Sequence, residues 1–368
     1  MGGWTLSDHH FYDVKGNMLH LGSGESRRAD PGIAVVTRVL GSGGGETFAV
    51  DGTSATTTGT GIPKTNPSLN YGVAGAPNGD IFFVDAKRRV VRRIDAQGKV
   101  STVAGIKDEY TCGSGNRGDG GPALQARFNT PRDVAVGPDG SLYITDPGDD
   151  TVRRARPSGS AYVMETVAGT PCMAGSVGDG GKAINARLSN PQRSAIGPDG
   201  SLYIADRGNS KIRRVDPNGN ISTIAGNGGT TYNRADEGKI AITAAIGTVE
   251  QLAVGPDGTV FSFNNLGRNL FSVTPDGKIH YLTAAYASNN VADEGVALAT
   301  EAVEAMTFGA MAVLPNRSVL FTDRDSRSVS GEMRAKIRVA DASGIVRTLS
   351  SGLNSGGSAP AGGPCPDH

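Results

Sequence analysis

The chain has 368 residues, with 36 Lys+Arg against 36 Asp+Glu and a formal net charge of zero. Fifty-four glycines with only 5% aromatic residues suit a turn-dense β protein rather than a helical bundle. Zero net charge argues against bulk nucleic-acid binding, which rests on phosphate neutralisation, and against a basic membrane-surface patch; no apolar run reaches the length of a spanning helix.

The opening, Met1-Gly2-Gly3-Trp4-Thr5-Leu6, has neither a charged n-region nor an apolar h-region, so no secretory signal is expected within it. It reads as a domain of a longer protein. Three cysteines are too few for a disulfide-built fold and too scattered for a zinc site.

Self-similarity is the dominant signal. A faint copy, Tyr12-Asp13-Val14-Lys15-Gly16-Asn17-Met18-Leu19, comes first. Ala76-Pro77-Asn78-Gly79-Asp80-Ile81-Phe82-Phe83-Val84-Asp85 follows, then Gly137-Pro138-Asp139-Gly140-Ser141-Leu142-Tyr143-Ile144-Thr145-Asp146. Gly197-Pro198-Asp199-Gly200-Ser201-Leu202-Tyr203-Ile204-Ala205-Asp206 repeats it closely. Later copies are Gly255-Pro256-Asp257-Gly258-Thr259-Val260-Phe261 and Pro315-Asn316-Arg317-Ser318-Val319-Leu320-Phe321. The turn anchors fall at 16, 79, 140, 200, 258 and 317, a period near 60 that spans the chain.

Each copy has one grammar. Pro-Asp-Gly makes a hairpin turn, because Pro presets φ and Gly supplies the left-handed residue. A strand ending in Asp follows, then a short Gly/Asn turn, a strand with an arginine pair, a second turn and a fourth strand. Four-stranded meanders set radially make a β-propeller. The expected architecture is a single six-bladed propeller over 1–368, with blades near 4–45, 70–105, 131–169, 191–226, 249–284 and 308–352 and a flexible tail at 353–368. The long linkers should carry helical turns at 122–128 and 182–188, where apolar residues recur at helical spacing.

The blades resemble NHL repeats. The linker Gly118-Asp119-Gly120-Gly121-Pro122-Ala123, recurring as Gly178-Asp179-Gly180-Gly181-Lys182-Ala183, resembles the subgroup in teneurins and their bacterial relatives. The opening Gly3-Trp4-Thr5-Leu6-Ser7-Asp8-His9-His10-Phe11-Tyr12-Asp13, with Leu19-His20-Leu21-Gly22-Ser23-Gly24, resembles the start of the propeller in teneurin-like and Rhs/YD-repeat proteins. The resemblance implies one domain of a large exported protein, extracellular or at the cell surface. No YD repeat is visible in the chain, so a shell or toxin function is not expected of it.

No catalytic or cofactor-binding set emerges. His9, His10, His20, His280 and His368 do not recur at one position, and zinc chemistry needs converging ligands. A Ser nucleophile elbow and a P-loop are both missing. Linker acids Asp51, Asp119, Asp179, Asp236 and Asp293 could form a calcium ring; the plainer reading is a turn or capping role repeated by symmetry. The spacing of eight in Asp119/Arg127 and Asp179/Arg187 suggests linker ion pairs.

Asp85, Asp146 and Asp206 end the second strands, with Asp323 and Asn264 in the same place. Seven residues after each of Asp85, Asp146 and Asp206 comes an arginine pair, Arg92-Arg93, Arg153-Arg154 and Arg213-Arg214, of which alternation turns one toward each neighbouring blade. The partner expected is the strand-two Asp of the same or an adjacent blade, with Arg93, Arg154 and Arg214 as the structural candidates. The copy at 258 replaces the pair with Leu270-Phe271-Ser272-Val273, and the last copy inserts 327–334. Cys112 and Cys172 hold equivalent linker positions; they could form a disulfide, remain free thiols, or pair one with Cys365.

The function expected is non-enzymatic recognition, adhesion or scaffolding. The resemblance implies a protein or glycan partner, an identical chain among them, and adjacent domains of the same polypeptide. The alternative is a metal-dependent propeller enzyme, a lactonase, lyase or hydrolase with a site in the central channel.

Overall fold

The computed structural model describes residues 51–52, 72–107, 112, 117–231, 233–264, 269–282, 311–314 and 316–325, together with backbone segments within 4–40, at 294–296 and within 334–354. Five antiparallel blades follow one another. Blade I comprises Val73–Gly75, Ile81–Asp85, Val90–Ile94 and Val100–Ala104; blade II comprises Asp133–Val136, Leu142–Asp146, Thr151–Ser158 and Ala161–Ala168. Blade III comprises Pro191–Ile196, Leu202–Asp206, Lys211–Val215 and Ile221–Ala225; blade IV comprises Val249–Val254, Val260–Asn264, Asn269–Val273 and Ile279–Tyr281. Blade V comprises Met311–Val313, Val319–Asp325, Arg334–Ala340 and Ile345–Asn354, with Glu294–Val296 added to its last strand. In every blade each strand pairs with the next in sequence.

The expectation of six blades is thereby corrected to five. The N-terminal strands form a sheet of another connectivity: Glu25–Asp30 takes three partners, Met18–Gly22, Val35–Leu40 and Trp4–Thr5. In sequence its second strand, Met18–Gly22, ends without the Asp of the other copies, and its Glu25–Asp30 strand takes three partners where a meander strand takes two. Its His10–Tyr12 strand lies beside the first strands of blades I and V.

First strands of successive blades lie against one another and fourth strands lie outermost. Apolar residues of facing blades fill the space between them. Phe82, Val84 and Val91 of blade I meet Val134, Leu142 and Ile144 of blade II. Ala205 and Ile212 of blade III meet Leu252 and Phe271 of blade IV. Phe263 of blade IV stands edge-on to Phe321 of blade V, with ring centroids 5.7 Å apart.

The linkers are ordered as the sequence suggested, but as short 3-10 turns: Ala123–Gln125, Ala183–Asn185 and Ala241–Thr243, the last preceded by a further turn at Arg234–Asp236. Each linker bridges two blades. Gly105 N–H, at the end of blade I, donates to Ala123 O, while Gly120 N–H donates to Met164 O on the outer strand of blade II. The same pair of bonds recurs from Gly169 to Ala183 and from Gly180 to Ile221. The linker thus covers the exposed edge of each outer strand, an edge that would otherwise invite pairing with another chain. Gly169 is required here: its φ is +87°, and a Cβ would lie 2.2 Å from Asp150 O.

Candidate functional site

The side chains singled out from the repeat converge where each linker meets its blade. In blade II the fully buried Arg153 donates to Asp119 Oδ1, and also to Arg117 O at 3.0 Å and Arg127 O at 2.9 Å. Thr166 on the outer strand donates to Asp119 Oδ2 at 2.7 Å. Blade III repeats the set: Arg213 to Asp179 Oδ1 at 2.7 Å, Thr223 to Asp179 Oδ2 at 2.7 Å. In blade I, Arg92 donates to Asp51 at 3.0 Å and Thr102 donates to Asp51 at 3.1 Å.

Two expectations are corrected by this geometry. The partner of Asp119 is Arg153 and that of Asp179 is Arg213; the linker arginines eight residues on lend their backbone carbonyls instead. The arginine that meets the docked linker is the first of each pair, and strand alternation then turns the second the other way. Arg93, Arg154 and Arg214 face the other way, where Arg93 pairs with Asp80 at 2.8 Å, Arg154 with Glu165 at 2.7 Å and Arg214 with Asp199 at 2.7 Å.

The second-strand aspartates stand behind this lock. Asp206 is fully buried, accepts from Ser189 N at 2.8 Å and Asn209 Nδ2 at 2.7 Å, and lies 3.3 Å from Arg213 Nη1. Burial pushes its pKa up to about 6 against those donors. Asp146 accepts from Asn129 N and Thr130 N, both at 2.8 Å; burial and the Asp149 charge push it up to about 6. Asp85 is raised by burial, with Arg88 and Arg92 opposing. In blade IV Asn264 takes the position, donating to Ile246 O at 2.6 Å, and Phe271 replaces the arginine.

The acids considered for calcium are otherwise engaged. Both oxygens of Asp119 and of Asp179 accept from arginine and threonine. Asp236 binds Lys239 Nζ at 3.1 Å and Ala245 N at 3.3 Å. Asp293, Cys365, the 327–333 part of the insertion and the side chains of Asp323, His9, His10, His20 and His368 lie outside the described residues. His280 Nδ1 is 2.9 Å from Glu237 on the rim of blade IV.

Cys112 and Cys172 form a disulfide, Cα to Cα 5.5 Å, which joins two successive linkers. Asp149, fully buried between them, accepts from Arg117 Nε at 3.0 Å.

Near the axis lies a pair that sequence reasoning passed over. Asp133 and Arg193, both buried, occupy the same place in the first strands of blades II and III, Nη1 to Oδ1 2.7 Å. Ser194 N–H donates to the other Asp133 oxygen at 2.8 Å. The available signal was a charged residue of opposite sign at the same first-strand position in two adjacent copies.

These features, linker aspartates docked on strand-three arginines in blades I to III and Pro-Asp-Gly hairpins in blades II to IV, define a β-propeller of four-stranded blades that resembles the NHL type. The chain is similar in particular to the propeller of the teneurins. The family model described as "Teneurin NHL domain" matches residues 64–156 and 160–244. Mouse Teneurin-3 is 30% identical over 248 residues, 64% of this chain and 8% of that protein. Teneurin-m of Drosophila melanogaster is 27% identical over 303 residues, 77% of this chain and 10% of that protein. The chain therefore spans about a tenth of the length of these relatives. Among solved structures, the nidogen/laminin complex has a chain that superposes with a TM-score of 0.52 at 12% identity, covering 90% of this chain and 91% of that one; at that identity the likeness is one of fold.

Proposed function

We propose that this propeller is a non-enzymatic protein-recognition module of a larger cell-surface protein. The observation that carries the reading is a row of exposed aliphatic side chains at the outer rim. Leu124, Ile184 and Ile242 hold one position in three successive 3-10 turns and are 49%, 51% and 49% exposed. Ile240, Val177 and Met173 extend the row, and these six are the large hydrophobic residues that stand exposed among the described residues. The turn's first alanine is buried in each case, so the backbone of the turn is fixed by the fold while its second residue is left free to contact a partner. An aliphatic side chain repeated on successive linkers fits a protein surface, since burying it would remove aliphatic area from water.

The test is to replace Leu124, Ile184 and Ile242 together by Ser in the full chain. Self-association by analytical ultracentrifugation and capture on arrays of surface proteins and glycans are then compared with the parent. The reading requires protein capture or self-association that the triple variant loses while its thermal melt is unchanged. Capture of glycans alone, or protein capture indifferent to the substitutions, overturns it.

A further inference from the structure

Among the described residues, one group of potential metal ligands stands together: Cys112, Cys172 and Asp149, their ligating atoms all within 4.8 Å of one another. The sulfurs are bonded to each other; the Asn129 amide donates toward Cys112 Sγ at 3.9 Å, and the remaining groups around them are acceptors. Gly148 O lies 3.3 Å from Cys112 Sγ, and Asp149 Oδ1 lies 3.3 Å from Cys112 Sγ and 3.8 Å from Cys172 Sγ. A disulfide sulfur carries no proton to give them. Asp149 is itself fully buried, with its other oxygen on Arg117. A buried carboxylate aimed at two sulfurs is suited to a thiol proton or a cation in their place.

We propose that, once the Cys112–Cys172 bond is reduced, the two thiolates and Asp149 form a binding site for a thiophilic divalent cation, zinc being the type. A dithiol reductant supplies two electrons and two protons, the S–S bond breaks, and the reductant leaves as its own disulfide. Binding of the cation then releases both thiol protons to solvent.

Geometry and charge agree with this assignment. In a tetrahedral zinc site with bonds of about 2.3 Å to sulfur and about 2.1 Å to oxygen, sulfur and oxygen ligands stand about 3.6 Å apart; the observed Asp149 separations of 3.3 and 3.8 Å bracket that value. Two sulfur ligands would stand about 3.8 Å apart, an opening that side-chain rotation supplies without moving the Cα atoms. Two thiolates and a carboxylate carry three negative charges. Zinc and the Arg117 guanidinium on Asp149 Oδ2 neutralise them. Cys112 is exposed, which leaves the fourth position open to water. The linker joint is therefore stapled in two ways, covalently when oxidised and by a cation when reduced.

The experiment uses the 368-residue chain with Cys365→Ser, to remove the third thiol, reduced by a phosphine and titrated with Co2+. The expected result is one equivalent bound with a sulfur-to-cobalt charge-transfer band, displaced by Zn2+, in protein whose circular dichroism stays that of the oxidised form. Oxidised protein should give no band, Cys172→Ser should abolish it, and Asp149→Asn should weaken binding at least tenfold. The proposal is overturned if folded, reduced protein gives no band, if the band survives Cys172→Ser, if Asp149→Asn binds within twofold of the parent, or if reduction alone unfolds the chain.

Discussion

Asp133 and Arg193, sixty residues apart in sequence, hold the same position in adjacent blades and form a buried ion pair near the axis. The position is occupied differently around the ring: Gly72 in blade I and Gln251 in blade IV precede the turn glycine by the same seven residues. Symmetry places four equivalent residues side by side, and the sequence at that place makes two of them complementary. Removing one partner of a buried pair leaves an uncompensated charge, at a cost of about 3–5 kcal/mol. Arg193→Ala and Asp133→Ala should each destabilise by that order in urea titrations. The double variant should recover a clear part of the sum; simple additivity would show that the pair is not coupled.

Gly72 is the counterpart that makes room for this pair. A Cβ there would lie 2.1 Å from Asp133 Oδ1 and 2.5 Å from Val134 N. Gly72→Ala should therefore lower stability by about 1–3 kcal/mol through overpacking. A melting temperature within error of the parent's would mean that blades I and II separate freely at this point.

Arg213 is the lock between the linker and blade III, and blade IV carries the alternative within the same chain, Phe271 with Asn264. Arg213→Phe alone should cost several kcal/mol, on the order expected for a buried charge pair cut on one side, because it strands Asp206. Adding Asp206→Asn should return part of that loss, as the amide keeps an acceptor for Ser189 N. Equal stability of the single and double variants would contradict the role given to Asp206.

Burial raises Asp206 to about 6 from an ordinary value of 3.8. The native state therefore holds this proton over a range in which the unfolded chain has lost it. The stabilisation is complete below about pH 4 and disappears as pH rises through about 6. A rise of that size corresponds to roughly 3 kcal/mol between the protonated and ionised forms. Asp206→Asn should accordingly flatten the stability curve between pH 4 and 6 relative to the parent, and stability curves that stay parallel across that window would refute it.

The Cys112–Cys172 bond closes a loop of 60 residues in sequence. On the chain-entropy account a loop of that length stabilises by about 4 kcal/mol. Reduction without metal should lower the melting temperature by several degrees, and Cys112→Ser/Cys172→Ser should match the reduced parent. If the reduced chain melts with the oxidised one, the two linkers are held by their backbone bonds alone.

The legible part of this protein was its local chemistry. Pro-Asp-Gly turns, strand alternation and a period near 60 are properties of short segments, so they specify four-stranded blades wherever they occur. The ion-pair residues were legible as types, and half of their pairing was not. Strand alternation allows either arginine of Arg213-Arg214 to face the linker; only the docked linker, with Asp179 and Thr223 on one side, selects Arg213. The Asp119/Arg127 spacing pointed to a contact along the chain, whereas Arg153 comes from a strand folded back over it.

What the sequence determined by itself was the blade: its turns, its strand order and the apolar faces that pack against the next. What tertiary structure decided was everything that joins one blade to another. The number of blades fell to five because the N-terminal strands pair in another order. The Asp133–Arg193 pair and the Cys112–Cys172 bridge each bring together residues sixty positions apart. Periodicity says that such residues occupy equivalent places; only the radial closure of the sheets brings those places within bonding distance, because a repeat encodes its own geometry and the ring supplies the neighbour.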